Sequence, residues 1–259
     1  MTANTKITVD EVAAKVDEAA RVAEPIEQFA ADAFDLETAY QIQAASIERR
    51  VQRGQQRSGI KMGFTSRAKM EQMGVHDLIW GRLTDAMMIP EGGQVEWQGR
   101  FIHPRVEPEI AFILGDDLCG QVTIPEAMQC VEAIAPALEI IDSRYRDFKF
   151  SLADVIADNA SSNGYVIGPW AAPEESIDNL GIVLNLNGTA KHYGSTSAIL
   201  GNPYRSLVHA ARLAELAGEP LQAGWVVLAG AATAASPMKA GDQVTAEFQN
   251  LGTVSFQVG

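Results

Sequence analysis

His103-Pro104-Arg105-Val106-Glu107-Pro108-Glu109-Ile110-Ala111-Phe112-Ile113-Leu114 sets two glutamates, one residue apart, at the mouth of an apolar run. The run reads as a buried strand. Side chains two apart on a strand share a face, so Glu107 and Glu109 stand side by side. Two carboxylates held together beside apolar neighbours repel each other and lose hydration. A divalent cation bound by oxygen ligands relieves both penalties. A third acid, Glu139, lies inside Ala137-Leu138-Glu139-Ile140-Ile141, 139 − 109 = 30 residues on, room for one helix and a return strand. A solvated strand face for Glu107 and Glu109, with Glu139 paired to an arginine, fits the same spacing. Glu139 weighs against that reading, because a carboxylate between Leu138 and Ile140 is rarely left without a partner. Oxygen ligands alone favour Mg2+ or Mn2+, since zinc wants His or Cys.

Around these strands the chain reads as α+β. Residues 8–54 are helical in pattern, with a capping box at Thr8 and Glu11, an interruption at Pro25, and a second helix from Asp35 to a stop at Gly54. Expected strands follow at Ile60–Phe64, Val95–Trp97, Val106–Leu114, Ala137–Ile141, Gly164–Gly168, Val226–Leu228, Gln243–Gln249 and Thr253–Val258. Ser66 would cap a short helix through Met73, Thr123 with Glu126 would open one through Ala133, and Ser151 would open another. Asn187-Gly188 between Ile182–Leu186 and Thr189–His192 signals a hairpin. Residues 203–217 read as a helix ending at Gly218. Helices and strands do not alternate regularly after residue 60, which favours a mixed sheet over a doubly wound parallel one. The expected division is 1–58, a helical region packed on the body, and 59–259, a catalytic mixed-sheet core.

At 259 residues, 47% hydrophobic and 20% charged, the composition is that of a globular protein. A net charge of −13 argues against nucleic-acid binding. It also means that an anionic substrate needs local positive charge. No run approaches the length of a membrane span. The polar start Met1–Lys6 lacks the pattern of a secretory signal. Cys119 and Cys130 form no metal or redox motif, so a cytoplasmic protein with reduced thiols is expected.

Other residues suit chemistry or plain structure. Lys61, in Gly59-Ile60-Lys61-Met62-Gly63, fits a ligand for a carboxylate or enolate oxygen, or an ordinary surface lysine. Arg144 and Arg146 suit bidentate carboxylate binding or a solvated charged turn. Asp158–Asn163, with Ser161 at its centre, is either a self-capping turn or a pocket wall. Thr233, in Thr233-Ala234-Ala235-Ser236-Pro237, offers a hydroxyl to a carboxylate or belongs to a plain loop. His103 stands nearest the acids, as an outer hydrogen-bonding partner or a structural residue. The chain has no Gly-x-Ser-x-Gly elbow, no phosphate loop and no His-Glu-x-x-His.

Four blocks in order, Gly59–Ser66, Glu107–Phe112, Pro136–Arg144 and Ala157–Ser161, resemble the hydratase/decarboxylase branch of the fumarylacetoacetate hydrolase superfamily over nearly the whole chain. The resemblance implies a mixed β-sandwich roll with N-terminal helices, Mg2+ or Mn2+ on Glu107, Glu109 and Glu139, and Lys61 as the active-site lysine. It implies one of two activities in the meta-cleavage degradation of aromatic compounds. The first is decarboxylation of 2-oxo-3-hexenedioate to 2-hydroxypenta-2,4-dienoate; the second is hydration of that dienoate. An acylpyruvate hydrolase or a non-catalytic partner subunit would share the fold. Hydratases of the branch carry Asp-Phe-Gly where this chain has Ile79-Trp80-Gly81, inside a stretch, Met73–Asp85, that resembles decarboxylases. Apolar Ile79 and Trp80 are then expected to face the leaving carboxylate of a small 2-oxo dicarboxylate. Arg144, Ser161 and Thr233 are expected to bind that substrate. A homo-oligomer and a complex with the pathway hydratase are also implied. Many relatives have Gly-His-Pro where this chain has Gly201-Asn202-Pro203, and Asn202 cannot shuttle a proton.

Overall fold

The computed structural model describes residues 7–30, 32–66, 70 and 77–259. The start Met1–Lys6, most of the helix expected from Ser66 to Met73, and Met73–His76 of the stretch that resembles decarboxylases lie outside the described residues. The chain opens with two helices whose ends obey the sequence signals. Thr8 and Glu11 form the capping box of α1 (Val9–Val22), and Asp35 accepts from the Thr38 N–H to start α2 (Leu36–Gln52). Then follow β1 (Arg57–Gly63), β2 (Ile79–Thr84), β3 (Met88–Ile89), β4 (Gln94–Val95), β5 (Arg105–Leu114), α3 (Ile124–Gln129), β6 (Val131–Ile141), α4 (Leu152–Ala157), β7 (Ser162–Ile167), β8 (Gly181–Leu186), β9 (Thr189–Ser195), α5 (Pro203–Ala217), β10 (Val226–Leu228), β11 (Ser236–Pro237), β12 (Gln243–Phe248) and β13 (Gly252–Val258). The capping box at Thr123 forms, but α3 stops at Gln129 instead of Ala133. Val131 pairs with Leu114 and begins β6, so ladder formation overrides the helical pattern there. Trp97 falls outside β4.

An eight-stranded mixed sheet runs β2-β1-β10-β5-β6-β7-β3, with β11 also on β5, and a five-stranded sheet runs β4-β13-β12-β8-β9. This is the α+β mixed roll that the sequence implies. Period-two alternation gives β5 and β6 two different faces. Val106, Ile110, Phe112 and Leu114 with Ile134, Leu138 and Ile140 enter the main core, which also holds Leu184, Val244, Val254 and Phe256 of the second sheet. The opposite face carries Glu107, Glu109 and Ala111 against Glu139, Ala137 and Ala135. A small apolar cluster of Leu83, Ala111, Ala135, Ala137, Tyr165, Val226 and Leu228 fills this second face. The Ser58 hydroxyl meets Tyr165 Oη at 3.1 Å, which joins β1 to β7 across the sheet and shows that the sheet curls around this face.

Pro108 sits mid-strand, where a proline would normally cost a ladder bond. Here the cost is avoided. β10 pairs residues 111–113 of β5 and β11 pairs residues 105 and 106. Pro108 faces the gap between them, where its carbonyl accepts from the Ala232 N–H at 2.9 Å. The helices α1 and α2 cover one end of the body, burying Val12, Ala13, Val16, Ala39 and Ile42 with Ile79, Val155 and Ala160.

Candidate active site

Glu107 and Glu139 are register partners on adjacent antiparallel strands, and Glu109 lies two residues along. One carboxylate oxygen from each lies within 4.8 Å of the other two, and all three side chains are buried. Lys61 joins them from β1, its Nζ 2.9 Å from Glu139 Oε2 and donating to Ala160 O at 3.2 Å. Glu109 Oε2 accepts from the Gly230 N–H at 2.6 Å. Gly230 is required there: at φ 103° an added Cβ would stand 2.1 Å from Thr65 Oγ1.

Charge does not balance within the protein. Three carboxylates against one ammonium leave 3 − 1 = 2 uncompensated negative charges if all are ionised. Burial first, then Glu139, push the Glu109 carboxyl well above its ordinary range, and burial likewise raises Glu139. Burial opposes the charge on Lys61, but Glu139, Glu109 and Glu107 outweigh it and hold its pKa above the usual value. Glu109 Oε1 and Glu139 Oε1 are buried with no hydrogen-bond partner. Buried acceptors of this kind call for an ion or a water. A hard divalent cation fits the donor set in charge, in oxygen chemistry and in these orphaned atoms.

The wall beside Lys61 is built from β2 and a turn. Gly81 pairs with Lys61, and a Cβ on Gly81 would stand 2.5 Å from Asn159 O, so only glycine lets the turn come this close. Asn159, Ala160 and Ser161 all take positive φ, 52°, 51° and 58°. Such strain is tolerated where the surroundings enforce it. The Asn159 amide supplies that enforcement, accepting from the Arg82 N–H at 2.6 Å and donating to Arg82 O at 2.8 Å along the open edge of β2. Gln43 Nε2 satisfies Trp80 O on the same edge at 3.1 Å. Sequence reading did not single out Gly230, Gln43 or Arg82. Their only signals are a glycine after an apolar strand and polar residues inside apolar helix and strand patterns.

The other expected residues sort unevenly. Ile79 lies on the Lys61 face of β2, paired with Gly63 and buried. Trp80 corrects the expectation: it pairs with Met62, so it projects from the opposite face. There it stacks on Tyr40 at 5.8 Å and carries the Arg82 guanidinium 4.4 Å from its ring centre. Arg144 is a second correction. Its guanidinium is fully buried, bonded to Asp158 through Oδ1 and the carbonyl and to the carbonyls of Asp142 and Ser162, which leaves it unavailable to a substrate carboxylate. Ser161 is buried beside Ala160 with its hydroxyl unpartnered, open to a ligand. Thr233 is half-buried and its hydroxyl donates to Ala234 O at 2.9 Å. His103 Nε2 is buried without a partner, and its backbone N–H donates to Asp142. Asn202 caps α5, accepting from the Tyr204 N–H at 2.9 Å, so this position serves helix structure.

Residues 53–259 match the family model described as fumarylacetoacetate (FAA) hydrolase C-terminal. A 4-oxalocrotonate decarboxylase of Pseudomonas sp. is 54% identical over 249 residues, 96% of this chain and 97% of that one. A 2-keto-4-pentenoate hydratase of Paraburkholderia xenovorans is 35% identical over 225 residues, 85% of this chain and 83% of that one. The solved 4-oxalocrotonate decarboxylase from Pseudomonas putida G7, complexed with magnesium and adipate, superposes with a TM-score of 0.93 at 35% identity over 97% of each chain. With a family model spanning most of its length and relatives matched nearly end to end, the chain belongs to the fumarylacetoacetate hydrolase family.

Proposed function

We propose that this protein decarboxylates 2-oxo-3-hexenedioate (4-oxalocrotonate) to 2-hydroxypenta-2,4-dienoate, with Mg2+ or Mn2+ held by Glu107, Glu109 and Glu139. The observation that carries the reading is the buried trio sharing one sheet face with Lys61. The 54% identity to a decarboxylase, against 35% to a hydratase, favours this activity within the family. When bound, the cation supplies Lewis acidity toward the 2-oxo acid end of the substrate.

Loss of the distal carboxylate breaks its C–C bond and sends the electron pair through the conjugated chain to the 2-oxo oxygen. The dienolate that results takes up a proton to give the product. Lys61 has three N–H bonds. Two are engaged by Glu139 and Ala160 O, which leaves one for the oxygen where charge collects. A donor fixed there before the reaction stabilises the developing charge without reorganisation. Ser161, its hydroxyl free in the adjoining turn, is assigned to the substrate carboxylate. Ile79 supplies an apolar wall on the Lys61 face, in place of the aspartate expected in hydratases. A wall without hydrogen-bonding groups disfavours a held, activated water, which decarboxylation does not need.

In this reading residues 59–259 form the catalytic body and 1–58 a helical addition. No helix among the described residues is long and apolar enough to cross a membrane. A cytoplasmic homo-oligomer, able to associate with the pathway hydratase, completes the proposal. The test is incubation with Mg2+ and 2-oxo-3-hexenedioate, or with the dienoate, following CO2 release and water addition separately. CO2 release from the first substrate, with little hydration of the second, is expected. Rapid hydration without CO2 release would replace this reading with the hydratase.

A further inference from the structure

A polar pocket of about 570 Å3 opens between the C-terminal ends of α1 and α2 and the segment 86–100. It shares no residue with the acid trio or Lys61. In a chain of net charge −13 its lining is unusual, because Arg21, Arg50, Arg53, Arg100 and Arg144 face only Asp17 and Glu96.

Pairing removes some of this charge but not all. Arg21 is bound to Glu18, and Arg144 to Asp158. Arg53 takes both oxygens of Asp17, at 2.6 and 2.7 Å. Arg50 is left with a distant share of that same carboxylate, 3.7 Å away, although its side chain is only 11% exposed. Burial and the neighbouring Arg144 depress its pKa to about 10. Arg100 rests near the Phe101 ring at 5.7 Å, and its Nε is buried without a partner. Among the described residues neither guanidinium makes a hydrogen bond, and Arg100 makes no ion pair. Buried guanidinium groups normally have partners. Beside them, Met88 and Pro90 give the pocket an apolar side.

We propose that this pocket binds an organic carboxylate anion, its charged end on Arg50 and Arg100 and its hydrocarbon body against Met88 and Pro90. A planar guanidinium matches a carboxylate in charge and shape, and apolar walls with a few fixed polar groups are the usual build of a small-molecule site. The probe is sodium benzoate, titrated calorimetrically into the full chain after EDTA treatment. Saturable binding of one benzoate per chain is expected. Arg100→Gln and Arg50→Gln should each weaken it tenfold or more, Glu107→Gln should leave it unchanged, and uncharged benzyl alcohol should not bind. Arg50 is buried and its variant can fail to fold, so Arg100→Gln carries the test alone if need be. No saturable heat with the parent, unchanged binding in Arg100→Gln, loss in Glu107→Gln, or equal binding of benzyl alcohol would each overturn the proposal. A second copy of the chain seated in the pocket would give no benzoate heat and a dimer weakened by Arg100→Gln, and that outcome also overturns it.

Discussion

Two carboxylates of the trio, Glu109 and Glu139, show the cost of burial in how they hold their protons. Burial and mutual repulsion raise Glu109 and Glu139 above their ordinary value of 4.5, so the metal-free protein retains protons there at pH values where a free glutamate has lost them. A cation must displace those protons. Each proton displaced makes the affinity rise about tenfold per pH unit within the raised range. Mg2+ affinity should therefore climb with pH above the usual carboxylate range and level off once the acids are ionised. Calorimetry in two buffers of different ionisation heat would detect the released protons, and an affinity flat in pH would contradict the raised values. A second residue-scale prediction concerns Ile79. Ile79→Asp introduces a carboxylate on the Lys61 face and should cut CO2 release at least tenfold, about 1.4 kcal/mol of barrier, while Mg2+ binding persists. Decarboxylation equal to the parent would remove Ile79 from the account. The acids were legible because charged residues inside apolar runs need partners, whereas Lys61, flanked by glycines, was left open by its own surroundings and was singled out by the family resemblance. Trp80 and Arg144 were misread for different reasons. Alternation along β2 turns Trp80 to the other face, and no local signal reveals that Asp158, 14 residues away, takes the Arg144 guanidinium.

At the scale of elements, the site depends on a turn that the chain would not adopt by itself. Asn159, Ala160 and Ser161 stand in left-handed backbone conformations between α4 and β7, and their arrangement presents Ala160 O to Lys61. The Arg144–Asp158 pair anchors this turn from behind, with both groups fully buried. Removing one member of a buried ion pair strands the other, at about 3–5 kcal/mol. Asp158→Asn should lose stability on that scale in urea denaturation, and its folded fraction should turn over more slowly because Lys61 loses its carbonyl partner. A change below about 1 kcal/mol, well short of that range, would show that Arg144 finds other support. Helix starts were readable to the residue, since Thr8, Asp35, Thr123 and Ser151 each cap as their side chains dictate. The left-handed turn was not, because its sequence, Asn-Ala-Ser, suits several local conformations and tertiary bonds from Asn159 to Arg82 select one.

For the molecule as a whole, the curled eight-stranded sheet separates two tasks. One face joins the second sheet in the main core; the other closes around acids that no core could otherwise accommodate. The α+β class was legible from strand patterning, while the pairing order was not, since β10 reaches between β1 and β5 from more than 100 residues away. A ligand that binds only the folded chain adds to stability, by about 2.7 kcal/mol at a hundred times its dissociation constant. The most direct test is thus the thermal unfolding of the parent and of Glu107→Gln across a Mg2+ titration. The melting temperature of the parent should rise and saturate with Mg2+, with the rise in Glu107→Gln lost or displaced to at least tenfold higher Mg2+. A parent indifferent to Mg2+, or a variant that tracks it across the titration, would contradict the claim that these three buried carboxylates hold the cation.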